Sequence, residues 1–170
     1  MGICSPISYF KGWRHSRGFG IHSPFAYRFI TEVLAQRLPY YGYADISADS
    51  RIRLIFRVIA YFGPEHILIL SSQPRLLKMA AHRAYSRAVI TGNADSQPDF
   101  VIADAMDTTE DILMRHAANG TNMIVLNAKA KLRPALADAM PRGMIFDNGK
   151  GTLVIIPAHG LPRQDFRVKF

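Results

Sequence analysis

The stretch "EHILILSSQPRLLKMAAHRA", Glu65 to Ala84, decides the fold. HILIL is a continuous apolar run of strand length, without the polar alternation of a strand that is wet on one face. After it come Ser71, Ser72, Gln73 and Pro74, then apolar residues at helical spacing. A buried strand, a tight turn and a helix make the repeating unit of an open α/β sheet. Ligands of such sheets bind at the carboxyl ends of the strands. The turn contains no glycine, so it is either a binding loop or only a connection.

Three more apolar runs follow: "AVIT" (88–91), "FVIA" (100–103) and "MIVL" (123–126). Helical patterns separate the first run from the second and the third from the fourth. Apolar strands alternating with helices predict a parallel sheet covered on both faces. "MIFDNGKGTLVIIPA" (144–158) then places two β-rich runs around Asn148, Gly149, Lys150 and Gly151, the signal of an antiparallel hairpin. "DFRVKF" (165–170) reads as a last strand.

Ahead of Glu65 the pattern is helical. Ser23 is a capping residue and Pro24 suits a first turn. Phe25, Phe29, Ile30, Val33 and Leu34 recur at helical spacing, and Pro39 is expected to end the run. A second helix is predicted over Ser50–Phe62, stopped by Gly63 and Pro64. Ile52, Ile55, Ile59 and Phe62 share one of its faces, while Arg53 and Arg57 lie one turn apart on another. The expected organisation is a single domain over 1–170: an N-terminal arm (1–22), leading helices (23–62) and an α/β core (63–170).

Composition sets the outer bounds. The chain has 170 residues, 49% hydrophobic and 20% charged, which suits one globular domain with a real core. Its single Cys4 excludes an intramolecular disulfide framework and points to a reducing, cytoplasmic setting. No apolar run reaches the length of about eighteen residues needed for a membrane span, since Arg57 interrupts "IRLIFRVIAYF". The net charge is +8, distributed as +5 over residues 1–63, −2 over 64–118 and +5 over 119–170. Basic ends around a mildly acidic middle favour nucleic acid or another acidic partner. Within the arm, "FKGWRHSRGFG" (10–20) interleaves aromatics with cations as single-strand binders do. "RGFG" lacks the aromatic strand that would complete an RNA-recognition motif.

Several strings together resemble one bacterial group of proteins in the class I S-adenosylmethionine-dependent methyltransferase family. They are "GIHSPFAYRFITEVL" (20–34), "YYGYADI" (40–46), "RLIFRVIAYFGPEHILIL" (53–70), "DFVIADAMD" (99–107) and "GLPRQDFRVKF" (160–170), in the same order as in that group. The resemblance implies a Rossmann-like, mostly parallel sheet closing in an antiparallel hairpin, and S-adenosylmethionine as cofactor. It also implies a shortened, degenerate member. Where the family carries a pattern close to "LELGTSLGIST", this chain has "LILSSQPRLLK" (68–78), without either glycine or the acid. Glycine there lets the backbone approach a ligand and adopt positive φ, and Pro74 removes an amide donor besides. At the second strand, "VITGNAD" (89–95) offers Asn93 and a displaced Asp95 where the family places a ribose-binding acid. Asp99 and Asp104 fall on two Asp positions of the third strand, but Ala105, Met106 and Asp107 replace Gly, Asn and His. Asn127 and Ala128 stand where a pair of acids is usual.

The site residues so marked carry two readings each. Ser71, Ser72 and Gln73, with Arg75 and Lys78, make either an anion and cofactor site at a helix N-terminus or a Ser-capped turn beside a solvated basic face. Asp104 is the catalytic candidate, a base or an orienter of a substrate amine, or plain turn chemistry. His22 fits helix entry. His15, His66, His82, His116 and His159 show no paired ligand spacing, so no metal site is expected. Cys4 has nothing to activate it as a nucleophile. Three functions follow as expectations: a methyltransferase-like protein that has lost its cofactor, an active methyltransferase using Asp95 and Asp104, or a module for acidic partners.

Overall fold

The computed structural model describes residues 21–44, 46, 48–157 and 163–170. The expectations placed on Cys4, His15, His159 and the segment Phe10–Gly20 lie outside the described residues, as does the start of the string at 160–170.

Helix α1 opens at Pro24–Arg28 and continues as a π-helix over Phe29–Leu34. The Ser23 hydroxyl accepts the Ala26 amide at 3.3 Å, the cap expected from its position. The widened turn is closed by the Ala35 amide on the Ile30 carbonyl at 2.8 Å, and the Thr31 hydroxyl donates to the Tyr27 carbonyl at 2.8 Å. The helical run ends at Leu34, well before Pro39. Its stop is tertiary: Arg57 takes the last two carbonyls, as described below.

Helix α2 covers Ser50–Phe62 and ends at Gly63, whose φ of +55° and amide bond to Ile59 make the left-handed cap that glycine favours. Then follow β1 (His66–Leu70), α3 (Pro74–Ala84), β2 (Val89–Thr91), β3 (Phe100–Asp104), α4 (Glu110–Ala118) and β4 (Asn122–Leu126). Helix α5 (Leu132–Ala139), which the sequence expectations omit, buries Leu132 and Leu136, one turn apart. The chain closes with β5 (Met144–Asp147), β6 (Leu153–Ile156) and β7 (Gln164–Arg167).

The seven strands form one sheet in the order β2-β1-β3-β4-β6-β5-β7. Four neighbouring pairs are parallel, and β6 runs antiparallel to both β4 and β5. The fold is therefore α/β, a mostly parallel sheet with an antiparallel C-terminal hairpin. The hairpin turn forms where Asn148 and Gly149 predict it. The Asn148 side chain accepts the Lys150 and Thr152 amides at 2.7 and 2.9 Å, and Gly149 and Gly151 take positive φ.

Alternate residues of the five inner strands feed two cores, while the edge strands β2 and β7 contribute no fully buried residue. Ile67, Ile69, Phe100, Ile102, Ile124 and Phe146 face α1, α2 and α3. Leu68, Val101, Met123, Val125, Ile145 and Ile155 face α4 and α5. Both faces are covered, which is why the strands read as unbroken apolar runs. Phe29 anchors α1: it is fully buried, with the rings of Phe146, Tyr61, Phe62 and Phe25 at 5.1, 5.3, 5.7 and 5.8 Å. Burial of one such side chain contributes about 1.5–3 kcal/mol.

Candidate functional site

From β1 the chain crosses to β2 on one side, and it then returns to β3 on the other. That reversal puts a switch point at the carboxyl ends of β1 and β3, where open α/β sheets bind ligands. A cleft of about 380 Å³ lies there. Ser71, Ser72 and Gln73 line it from the β1–α3 loop, and Asp104, Met106 and Asp107 from the end of β3. Asn127 closes it after β4, and Asp49, Arg51 and Ile52 cover it from the start of α2.

The β1–α3 loop does hold an anion, and the anion belongs to the same chain. Asp107 Oδ2 accepts the Ser72 amide at 2.7 Å, the Ser72 hydroxyl at 2.9 Å and the Ser71 hydroxyl at 3.4 Å. A turn directs it there, closed by the Asp107 amide on the Asp104 carbonyl at 3.1 Å. The Thr108 hydroxyl adds a bond to the Leu70 carbonyl at 3.4 Å. The Ser72 amide, and after it the two hydroxyls, hold the Asp107 carboxyl below the usual aspartate value because they bond to its charged form. Ser71 has a second task, since its hydroxyl oxygen also accepts the Gln73 amide at 3.1 Å. Gln73 starts α3 without a side-chain cap bond. Arg75 and Lys78 are exposed and do not line the cleft.

Asp104 is engaged at both oxygens. Oδ1 accepts the Met106 amide at 2.9 Å, and Oδ2 accepts the Asn127 side-chain amide at 2.8 Å. Asn127 sits at φ +53°, a left-handed conformation that asparagine tolerates better than most residues. Across the cleft, Arg51 pairs with Asp49 at 3.0 Å and holds that carboxyl below its usual value. The arginine is favoured in its charged form chiefly by Asp49, with a smaller contribution from Asp104. A carboxylate bonded at both oxygens ties the β3 turn to the loop after β4.

Ser71, Ser72, Gln73 and Asp104 thus come together in one cleft. Asn93 and Asp95 do not join them. They form their own turn beyond β2, with the Asp95 amide on Asn93 Oδ1 at 3.1 Å, outside the cleft lining. Asp99 lies at the opposite, amino edge of the sheet, where its carboxylate accepts the Glu65 and His66 amides at 2.9 Å each and ties β1 to β3. Sequence reasoning missed Asp49 and Arg51 as cleft residues. The signal available was an Asp at the N-cap of a predicted helix with Arg two residues on.

The chain matches no family model, no curated protein and no solved structure. Among the described residues, no three His, Cys, Asp or Glu side chains gather to hold a metal ion, and no helix is long and apolar enough to cross a membrane.

Proposed function

We propose that this chain is a methyltransferase-like α/β domain that no longer binds S-adenosylmethionine and serves a non-catalytic role. The carrying observation is Asp107 on the β1–α3 loop. In the resembled family that loop receives the cofactor. Here its Ser72 amide and both hydroxyls serve a carboxylate of the same chain. An external ligand has to displace a group tethered in place, which competes at the high effective concentration of an intramolecular contact. Three further features support the reading: the glycine-free loop, Asn93 and Asp95 outside the cleft, and Asp104 bonded at both oxygens. The four parallel strands closed by an antiparallel hairpin agree with the fold that the resemblance implies. The single Cys4, which cannot form an intramolecular disulfide, is in keeping with a cytoplasmic setting.

Calorimetric titration with S-adenosylmethionine tests the proposal. The expected result is no saturable heat up to millimolar cofactor. Binding with a micromolar Kd, roughly −8 kcal/mol, overturns it.

A further inference from the structure

A second cavity, of about 720 Å³, opens on the other side of the α2 N-terminus. Asp49, Arg51 and Ile52 line the switch-point cleft, while Ser50 and Arg53 line this one. Its other polar walls are Gln36, Arg37, Arg57, Lys169 and Tyr43, and Phe170 lines it beside Lys169. Four cations converge there, and no Asp or Glu is among the described lining residues.

The cations have different duties. Arg57 is committed to the fold, because it bonds to the carbonyls that end α1. Arg53 is not. Its guanidinium lies over the Tyr43 ring at 5.1 Å, and its buried Nε has no hydrogen-bond partner. A buried donor left unpaired in a native structure calls for an explanation. Some basic groups elsewhere meet acids: Arg133 and Arg163 share Asp165, Arg167 reaches Asp147, and Lys131 reaches Glu110. Among the described residues neither Arg37 nor Arg53 meets a carboxylate. Like charges held together in a concave wall raise the local potential for an anion. A guanidinium fixed on an aromatic face is already ordered, so little freedom is lost when its fork closes on a ligand.

We propose that this cavity binds a phosphate-bearing small molecule, with the Arg53 fork and Arg37 on the phosphate. Arginine forks match phosphate oxygens in bidentate geometry. The volume falls within the range of about 300–1,000 Å³ usual for small-molecule sites. This site is separate from the Asp107 loop and stands whether or not that loop takes a cofactor.

The test is calorimetric titration of the full chain with pyrophosphate at low ionic strength. Saturable one-to-one binding is expected, weakened at least tenfold in Arg53→Met and severalfold in Arg37→Met. Arg115→Met removes the same charge from α4 on the other face of the sheet and is expected to hold affinity within twofold. Arg53→Lys keeps the charge without the fork and is expected to bind clearly more weakly than the parent. Absence of saturable binding overturns the proposal. So does an equal loss in Arg115→Met, or parental affinity in Arg53→Lys. Arg37 is exposed, so its variant decides the matter should Arg53→Met fail to fold.

Discussion

Replacing Arg57 with Met separates the structural arginine of α2 from its neighbour. Arg57 Nε donates to the Val33 carbonyl at 2.7 Å, Nη2 to the Leu34 carbonyl at 3.2 Å and Nη1 to the Tyr43 hydroxyl at 3.1 Å. Val33 and Leu34 are buried at the end of α1, where carbonyls lack intrahelical partners. Each hydrogen bond from a charged donor contributes about 1.5–3 kcal/mol. The three share one side chain and do not add in full. The adjoining cavity also admits water to part of the vacated site. Arg57→Met keeps the apolar stem and is expected to cost about 2–4 kcal/mol. Urea unfolding reads this as a midpoint lowered by roughly 1–2 M at unchanged slope. Arg53→Met, one turn away, loses only its stacking on Tyr43, under about 1 kcal/mol. If the Arg57 variant loses less than about half a kcal/mol, or no more than the Arg53 variant, the capping argument fails.

Two other outcomes follow from titrating groups. His116 is buried with Nε2 unpartnered, and burial, followed by the Arg115 charge, lowers its pKa below 6.5. The unfolded chain therefore binds the proton first, so stability should fall as pH drops below about 6.5. His116→Leu should flatten that slope in urea midpoints measured from pH 7.5 to 5, and an unchanged slope would assign it elsewhere. Asp107, held below the usual aspartate value, should keep the Ser72 amide protected from hydrogen exchange at neutral pH, with protection lost only in acid below pH 3.8. Asp107→Ala should abolish the protection and its acid dependence together; an amide equally protected in the variant would remove the internal anion from the account.

Much of the fold was legible because its causes are local. HILIL, FVIA and MIVL read as strands buried on both faces, and Ser23, Gly63 and Asn148 read as caps and turns. Each signal needs only neighbours a few residues away. The stop of α1 was not legible, since it depends on Arg57, more than twenty residues on. Helix α5 carried the usual one-turn spacing of Leu132 and Leu136, but its Pro134 and Lys-rich approach obscured it. The candidate site was legible by position alone. Ser71, Ser72, Gln73 and Asp104 were identified, while Asn93 and Asp95 depended on a loop path that spacing does not determine.

By itself the sequence determined an α/β sheet with a closing hairpin and a glycine-free turn after the first strand, since hydrophobic period and turn chemistry act over short distances. Tertiary structure alone decided what the polar residues do. Arg53 and Arg57 share one helix face, one residue type and one cavity, yet Arg57 caps α1 while Arg53 lies over the Tyr43 ring. Asp107 reaches Ser72 across 35 residues of chain. Strand order brings those two loops together, and the order is set by how the whole sheet buries both faces rather than by any local pattern.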